Sequence, residues 1–313
     1  MKTGLIIQGP IISKGKSGKE AHLWNPESFD AVLYDSRKGF AERITVSSNI
    51  FDHIVIVTWK EDEKLLSELT LPHSIENVKI LSVGAPKENP NVNNNSTKQF
   101  YSCLIGAKHL RKLGVDRVVK TRMDLTEDQL FFKSVLKSWK NEPLLQIPWE
   151  GSIWTRGAHD LIFGGQIDVF ESVCSEMLRP GRTTTHPALL RCFYATLHKT
   201  GHFQDSNIKS VFVGCSSNFW QVISQRVYEH SFHMSAQSLS TLLWRGEPFS
   251  NDYLKRLRNV PSEFLDKKGK IGLGTNWSEG LDCFKEKTEK HIRSSLSVIQ
   301  RLVFRAIQKI NSA

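Results

Sequence analysis

Apolar positions follow two different periods along the first half of the chain. Short β-rich runs lie at 4–9, 53–59, 78–84 and 116–125. Between the last two runs, apolar residues recur at helical spacing at Phe100, Leu104, Ala107 and Leu110. Ser96 and Gln99 fit a capping box at the start of this helix, and Gly114 marks its end. The alternation predicts an α/β domain with a mostly parallel central sheet flanked by helices.

The pattern becomes more mixed after residue 125. Residues 143–149 are a further strand candidate, and 162–178 change from strand or loop to helix after Gly164 and Gly165. A helix is predicted over 186–201, and a strand followed by a turn over 211–220. Because no internal repeat or low-complexity tract interrupts the 313 residues, we expect one main domain.

The C-terminal segment differs from the rest of the chain. Over 288–311, one apolar stripe is formed by Ile292, Leu296, Ile299, Val303, Ile307 and Ile310, and the cations lie elsewhere. The spacing predicts a basic amphipathic helix within 286–313. Such a helix either packs on the domain or on a partner helix, or adsorbs to an anionic membrane surface, where each cation adds about 1 kcal/mol.

Composition narrows the class of partner. The formal net charge of +10 and the pI near 9.3 favour anionic partners, among them nucleotide phosphates, anionic lipid and acidic glycans. The five cysteines are widely spaced without a C-x-x-C pair, so we expect reduced, buried thiols. The N-terminus lacks the features of a signal peptide, and no run approaches the roughly 18 apolar residues of a membrane span, so a cytoplasmic protein is expected. No RNA-recognition, zinc-protease, serine-hydrolase or protein-kinase pattern occurs, and no nucleic-acid partner is expected.

The segment 118–125, VVKTRMDL, combines the apolar run of a strand with charges at alternate positions. Period two places Lys120, Arg122 and Asp124 on one face. Successive charges then lie about 7 Å apart, which suits two cations on a diphosphate and a carboxylate on a sugar hydroxyl or a metal ion. The alternative is an edge strand whose solvent face is charged.

Gln8, Gly9 and Pro10 end the first predicted strand, where open α/β sheets place ligands. Glycine there lets backbone amides approach a base or phosphate, although a simple turn explains the same residues. The following GKSGK resembles a Walker A motif, but five residues instead of four separate Gly9 from Gly15. A P-loop-like phosphotransferase is therefore a minor alternative.

The segment 157–165, GAHDLIFGG, places His159 and Asp160 beside a glycine pair. This combination suits a general base on a loop that comes close to a substrate. Asp160 is the better candidate, because its carboxylate accepts a proton from an acceptor hydroxyl. The alternative is a surface loop without a catalytic role.

Several motifs, in their order and spacing, resemble the WavE family of lipopolysaccharide-synthesis proteins, which are regarded as glycosyltransferases. The motifs are IIQGPI at 6–11, NNSTKQFYSCLIG at 94–106 and VVKTRMDL at 118–125. The family pattern continues with an Asp near an F-x-G-type turn, matched here by Asp160 and by Phe163-Gly164. Lys98 replaces the usual Arg, which reduces a bidentate phosphate contact to a point charge. The resemblance covers residues 1 to about 175.

The resemblance implies a glycosyltransferase of the GT-A type that moves a sugar from a nucleotide-sugar donor to a glycan or glycolipid acceptor. The implied acceptor is growing lipopolysaccharide core or capsular polysaccharide at the inner face of the cytoplasmic membrane. The candidate donor-binding residues are Gln8, Gly9, Pro10, Lys98, Gln99, Lys120, Arg122 and His159. The candidate catalytic residues are Asp124 and Asp160, the latter as general base. A glycan- or membrane-binding protein without catalysis is the remaining alternative.

The implied GT-A-like domain covers 1–285, with a nucleotide-sugar-binding half at 1–130 and an acceptor-side half at 131–285. The basic helix of 286–313 follows it. Many transferases of this type hold a divalent metal with a D-x-D pair, whereas Arg122-Met123-Asp124 offers one acid. Either Asp124 shares Mg²⁺ or Mn²⁺ with the substrate phosphates, which we favour, or Lys120 and Arg122 neutralise the diphosphate themselves.

Overall fold

The computed structural model describes residues 1–15, 32–69, 71, 75–86, 94–147, 149–150, 158–179, 185–204, 217–234, 236–249, 251, 254 and 257–258. Its strands are β1 (Thr3–Gln8), β2 (Ile12–Gly15), β3 (Val32–Asp35), β4 (His53–Trp59), β5 (Val78–Val83), β6 (Arg117–Arg122), β7 (Leu125–Thr126), β8 (Leu144–Gln146), β9 (Trp149–Glu150), β10 (Phe163–Gln166), β11 (Ser231–His233), β12 (Leu243–Trp244), β13 (Glu247–Pro248) and β14 (Leu257–Arg258). Its helices are α1 (Phe40–Ser48), α2 (Glu63–Leu66), α3 (Asn94–Lys112), α4 (Gln129–Ser138), α5 (Ile167–Met177), α6 (Thr185–Lys199), α7 (Ser217–Glu229) and α8 (Ala236–Leu239), and a 3₁₀ turn spans Lys60–Asp62.

The central sheet contains seven strands in the order β11-β8-β10-β6-β1-β4-β5. Only β10 runs against the others among these strands, because it pairs antiparallel with both β6 and β8. From β1 the chain passes to β4 and β5 on one side, and α3 then returns it to β6 on the other side of β1. The predicted α/β class with a mostly parallel central sheet flanked by helices is therefore confirmed.

Apolar residues on both faces of the sheet explain its three-layer packing. The β1 residues Leu5 and Ile7 face the layer that contains α1 and α4, and Ile6 faces the layer of α3, α5, α6 and α7. Both clusters are closed to solvent, which is why β1 and β4 read as continuous apolar runs. Gly106 lets α3 approach β1, since a Cβ there would lie 3.1 Å from the Ile6 side chain.

Small antiparallel pairs are added at the carboxyl edge of the sheet. β2 pairs with β3, β12 pairs with both β13 and β7, and β9 pairs with β14. The register of β12 with β7 places Trp244 opposite Leu125, directly after the end of β6. Residues far apart in the sequence therefore meet beside the ends of β1 and β6.

Most predicted elements are present, with two corrections. α3 begins at Asn94 instead of at a box between Ser96 and Gln99, and the Gln99 side chain donates to the Asp160 carbonyl at 3.0 Å. The predicted strand and turn of 211–220 is wrong at its end, because 217–220 belong to α7. Residues 211–216 and the helix predicted within 286–313 lie outside the described residues.

Two further expectations concern the thiols and the membrane. Cys103, Cys174 and Cys192 are buried free thiols, as predicted; Cys215 and Cys283 lie outside the described residues. Over the described part of the chain, no helix has the length and apolar content needed to cross a bilayer.

Candidate functional site

A cleft of about 370 Å³ opens at the carboxyl ends of β1 and β6. The chain leads from β1 to β4 on one side and from β6 to β8 on the other, and open α/β sheets form a ligand crevice at such a point. The cleft is lined by Gln8, Gly9, Pro10, Ile12, Ser13, Lys14, Trp59, Lys98, Gln99, Arg122, Met123, Asp124 and Arg245. Four of these side chains are cations and one is a carboxylate, so the cleft favours an anionic ligand.

The floor of the cleft is held by the end of β1. The carbonyl of Gln8 accepts from the Met123 amide at 2.8 Å, and the Gly9 amide donates to Val57 at 3.2 Å. Gly9 has a φ of 124°, which residues with a Cβ rarely adopt, so the turn after β1 requires glycine. Ser102 on α3 donates to the Gln8 side chain at 3.3 Å. These contacts fix the positions of Gln8 and Gly9 at the base of the cleft.

Arg122, Asp124 and Arg245 form a compact ionic network in the cleft wall. Arg122 binds Asp124 in bidentate fashion, with Nε to Oδ1 at 2.8 Å and Nη2 to Oδ2 at 3.0 Å. Nε of Arg245 lies 3.0 Å from Oδ2 of the same carboxylate. The Trp244 indole donates to Oδ2 at 3.2 Å, and the Ser13 hydroxyl donates to it at 3.3 Å. Asp124 thus orients two guanidinium groups at once.

The charges of this network shift each other's pKa values. Burial raises the pKa of Asp124, but Arg122, Arg245 and the Trp244 indole outweigh it and lower the pKa to about 2. Burial lowers the pKa of Arg122, yet Asp124 raises it to a net value above its usual range. Burial lowers the pKa of Arg245, with Asp124 opposing the shift. Asp124 is therefore ionised at neutral pH.

Arg245 enters the cleft from the turn between β12 and β13. Its backbone N–H donates to the Asp124 carbonyl at 2.8 Å, and its Nε donates to the Ser13 hydroxyl at 3.3 Å. Its guanidinium packs against Gly15, where a Cβ would lie 2.5 Å from Nη1. Arg245, Trp244 and Ser13 were not predicted from the sequence. The only signal of Arg245 and Trp244 is a Trp-Arg-Gly-Glu turn about 120 residues after Asp124, and Ser13 lies in a short strand about 110 residues before it.

Lys120 does not line the cleft. It is fully buried beside Phe163, with Nζ 5.4 Å from the ring centroid, and it donates to the carbonyls of Asp160 and Leu161. Burial lowers its pKa to about 8. The period-two alternation is correct for β6, but this position faces α3 and α5 instead of solvent. Lys120 therefore links the loop before β10 to the sheet. This position corrects the prediction that Lys120 is one of the donor-binding residues of the cleft.

Asp160 and His159 lie on the loop that precedes β10. Because β10 is antiparallel, its first residue lies at the same sheet edge as the carboxyl ends of β1 and β6. Oδ1 of Asp160 lies 3.5 Å from Nε2 of His186. Burial raises the pKa of Asp160, but His186, Lys120 and Arg122 outweigh it and hold the pKa below its usual range. Asp160 is not among the residues that line the cleft; its loop joins the cleft through Gln99, whose side chain donates to the Asp160 carbonyl.

His159 is half-buried on this loop. Its ring meets that of His186 edge to face, with centroids 5.5 Å apart. Burial lowers the pKa of His159 to about 4, helped by His186 and opposed by Asp160. His159 is therefore neutral at pH 7, and it is not among the residues that line the cleft. The structure does not bring it to the diphosphate position expected from the sequence.

The surroundings of Asp124 do not fit a metal ligand. Both of its oxygens face N–H or O–H donors, three of which belong to the two guanidinium groups of Arg122 and Arg245. A divalent cation needs several oxygen ligands, and it would be repelled by the two arginines. No group of three acidic, His or Cys side chains suited to a metal occurs within the described residues.

The phosphate-loop alternative also finds no support around Gly9. A P-loop runs from its strand through glycines directly into a helix. Here Ile12–Gly15 form strand β2, which pairs antiparallel with β3. Residues 16–19 of GKSGK lie outside the described residues.

Comparisons with known proteins give only distant similarity. No protein-family model matches the chain, and no curated protein is detectably similar to it. A 4-diphosphocytidyl-2C-methyl-D-erythritol synthase from Anaerococcus prevotii aligns at a TM-score of 0.35 and 10% identity, over 85% of this chain and 93% of its own. A cytidylyltransferase from Leptospira borgpetersenii aligns at 0.32 and 20% identity, over 56% and 64%. Rv0371c from Mycobacterium tuberculosis, in its complex with manganese, aligns at 0.32 and 8% identity, over 57% and 76%. These TM-scores are too low to indicate a function. The function proposed for this chain rests on its cleft instead.

Proposed function

We propose that this protein is a nucleotide-sugar-dependent glycosyltransferase of the kind that the WavE resemblance implies. The observation that carries the proposal is the cationic cleft at the carboxyl ends of β1 and β6, where Arg122 and Arg245 share Asp124. A nucleoside diphosphate sugar is an anion of matching charge, and guanidinium groups bind phosphate oxygens with two parallel hydrogen bonds. The position at the switch point of the sheet also suits a nucleotide.

Different cleft residues bind different parts of the nucleotide-sugar donor. Arg122 and Arg245 face the diphosphate, and Lys14 and Lys98 add positive charge at the rim. Trp59, at the end of β4, provides an aromatic face for the nucleobase. Gln8 and Gly9 lie at the base of the cleft, where Gly9 permits close backbone approach.

The proposed reaction is a displacement at the anomeric carbon. The acceptor hydroxyl oxygen forms a bond to that carbon, and the bond between the carbon and the phosphate oxygen breaks. The electron pair leaves with the nucleoside diphosphate, whose charge the arginines stabilise. Asp160 takes the hydroxyl proton. Its lowered pKa keeps it ionised, as a base requires, and makes it a weak base, so proton transfer comes late in the displacement.

The acceptor side of the proposal rests on the resemblance. We assign the acceptor to a glycan or glycolipid of lipopolysaccharide core or capsular polysaccharide, on the side of Asp160 away from Arg122. Attachment to the inner face of the cytoplasmic membrane through 288–311 stays a prediction, because that segment lies outside the described residues. Sedimentation with anionic liposomes tests it: a chain truncated before Thr288 should no longer sediment, and unchanged sedimentation contradicts the prediction.

A thermal-shift panel tests the proposed function. UDP-, GDP- and CMP-linked sugars, ATP and GTP are compared at equal concentration, with and without Mn²⁺. At least one UDP- or GDP-linked sugar should raise the melting temperature, because a ligand that binds only the folded state stabilises it. The stabilising nucleotide sugar should then release its nucleotide on addition of an acceptor glycan. Stabilisation by ATP alone would contradict a glycosyltransferase.

A further inference from the structure

We propose that Arg245 is a phosphate-binding residue of the cleft and that, together with Arg122, it binds a diphosphate without a metal ion. The inference deepens the proposed function, because it specifies how that site holds the diphosphate of its substrate. The two guanidinium groups neutralise the diphosphate charge, as a divalent metal does in other enzymes. Asp124 is the positioning residue that orients both.

The backbone of Arg245 is in an unfavourable conformation for an arginine. Its φ is 53° and that of Gly246 is 81°, so both central residues of the β12–β13 turn are left-handed. Two-residue hairpin turns of this type favour Asn-Gly, whereas a long side chain in the left-handed region costs about 1–2 kcal/mol. An unfavourable residue at such a position indicates a role for its side chain beyond the turn.

The side chain of Arg245 is held in one orientation by its neighbours. Nε of Arg245 faces both Asp124 and Ser13, at 3.0 Å and 3.3 Å. The guanidinium also lies against the face of Trp244, with Cζ 5.1 Å from the ring centroid. The side chain of Arg245 is only 8% exposed, yet it lines the cleft. A guanidinium fixed in this way loses little further entropy when it binds an anion.

Arg122 and Arg245 share the same two neighbours, Asp124 and Trp244. Arg122 lies over the same indole, with Cζ 5.6 Å from its centroid, and binds both oxygens of Asp124. Two guanidinium groups are therefore held side by side around one carboxylate, within the described part of the cleft. Their mutual repulsion is reduced by an anion that bridges them, and a diphosphate offers oxygens to both. A divalent metal in this position would add to the repulsion instead.

Binding of inorganic pyrophosphate to the full chain tests the inference. Isothermal titration is carried out in EDTA and again with Mn²⁺, for the wild type and for Arg245→Asn, Arg245→Lys and Arg226→Asn. Asn suits the left-handed turn, so Arg245→Asn is expected to fold. Arg226 on α7 pairs with Glu229 outside the cleft and serves as the matched control.

The wild type should bind pyrophosphate in EDTA, and Mn²⁺ should not strengthen the binding, because this cation itself complexes pyrophosphate. Arg245→Asn should weaken binding by about 10–100-fold, the range expected for charged hydrogen bonds. Arg245→Lys should fall between the two, because it keeps the charge and loses the planar group. Arg226→Asn should bind like the wild type.

Three results would overturn the inference: pyrophosphate binding that requires Mn²⁺, no binding by the wild type, or equal affinity in Arg245→Asn. A lowered melting temperature with unchanged affinity in Arg245→Asn would assign the residue a structural role alone. Pyrophosphate carries neither base nor sugar, so these results are independent of whether sugar transfer is found. If sugar transfer occurs while Arg245→Asn binds normally, the proposed function stands and this inference fails.

Discussion

Asp124 organises the site at the scale of single residues. The sequence predicted Asp124 at the end of a charged strand face. It also correctly predicted that Arg122, two residues earlier, lies on the same side as Asp124. The sequence could not show that Arg245, Trp244 and Ser13 also reach this carboxylate, because they come from two separate antiparallel strand pairs. Nor could it show that Lys120 turns into the core, since a charged side chain is seldom fully buried.

The pKa of Asp124 leads to a prediction on stability. A folded-state value of about 2, against about 3.9 when unfolded, stabilises the fold by about 2–3 kcal/mol above pH 4. Because the folded pKa is the lower one, this contribution is lost as the pH falls from about 4 to 2. Asp124→Asn should therefore lower the free energy of unfolding by about 3 kcal/mol at pH 7 and by much less at pH 2.

Urea denaturation at the two pH values measures this difference. Asp168→Asn is the control, because its side chain is 73% exposed in an ion pair with Arg111. That substitution should change the free energy of unfolding by less than about 0.5 kcal/mol. Equal losses at pH 7 and pH 2 for Asp124→Asn would contradict the assigned electrostatic role.

At the scale of elements, the order of strands and helices followed from periodicity. β1, β4, β5 and β6 and the helices α3, α5 and α6 have the expected places, because long apolar runs and regular stripes specify them. The antiparallel pairs β2–β3 and β12–β13 were not predicted, since strands of two to four residues leave little periodicity to read. The walls of the cleft come from these strand pairs, so its floor was more predictable than its walls.

Pairing of β10 with β6 gives an element-scale prediction. A Cβ on Gly164 would lie 2.5 Å from the Val118 carbonyl oxygen, which belongs to the facing strand and has no room to move. Gly164→Ala should therefore lower the free energy of unfolding by at least about 2 kcal/mol. Gly84→Ala is the matched control, because no atom of the described residues lies within 4 Å of that Cβ. Chemical denaturation of both variants checks this, and equal stability would contradict the strand packing.

At the scale of the whole molecule, the net charge and the topology of the sheet both favour an anionic ligand. The net charge of +10 attracts anions in general, and the switch point of the sheet concentrates four cations around one cleft. Association with a charged donor should therefore weaken as salt is raised, because screening acts over about 8–10 Å at physiological ionic strength. Overall charge was readable from composition, whereas its concentration at one edge depends on the fold.

Hydrogen–deuterium exchange with the nucleotide sugar that stabilises the protein most is the most direct test of the central claim. The full chain is compared with and without this ligand, and the exchange of each backbone segment is measured. The cleft predicts slower exchange at 8–15, 122–126 and 244–247, which lie far apart in the sequence and meet around Asp124. Protection confined to α6 and α7, or no protection at these three segments, would contradict the assignment of the cleft as the donor site.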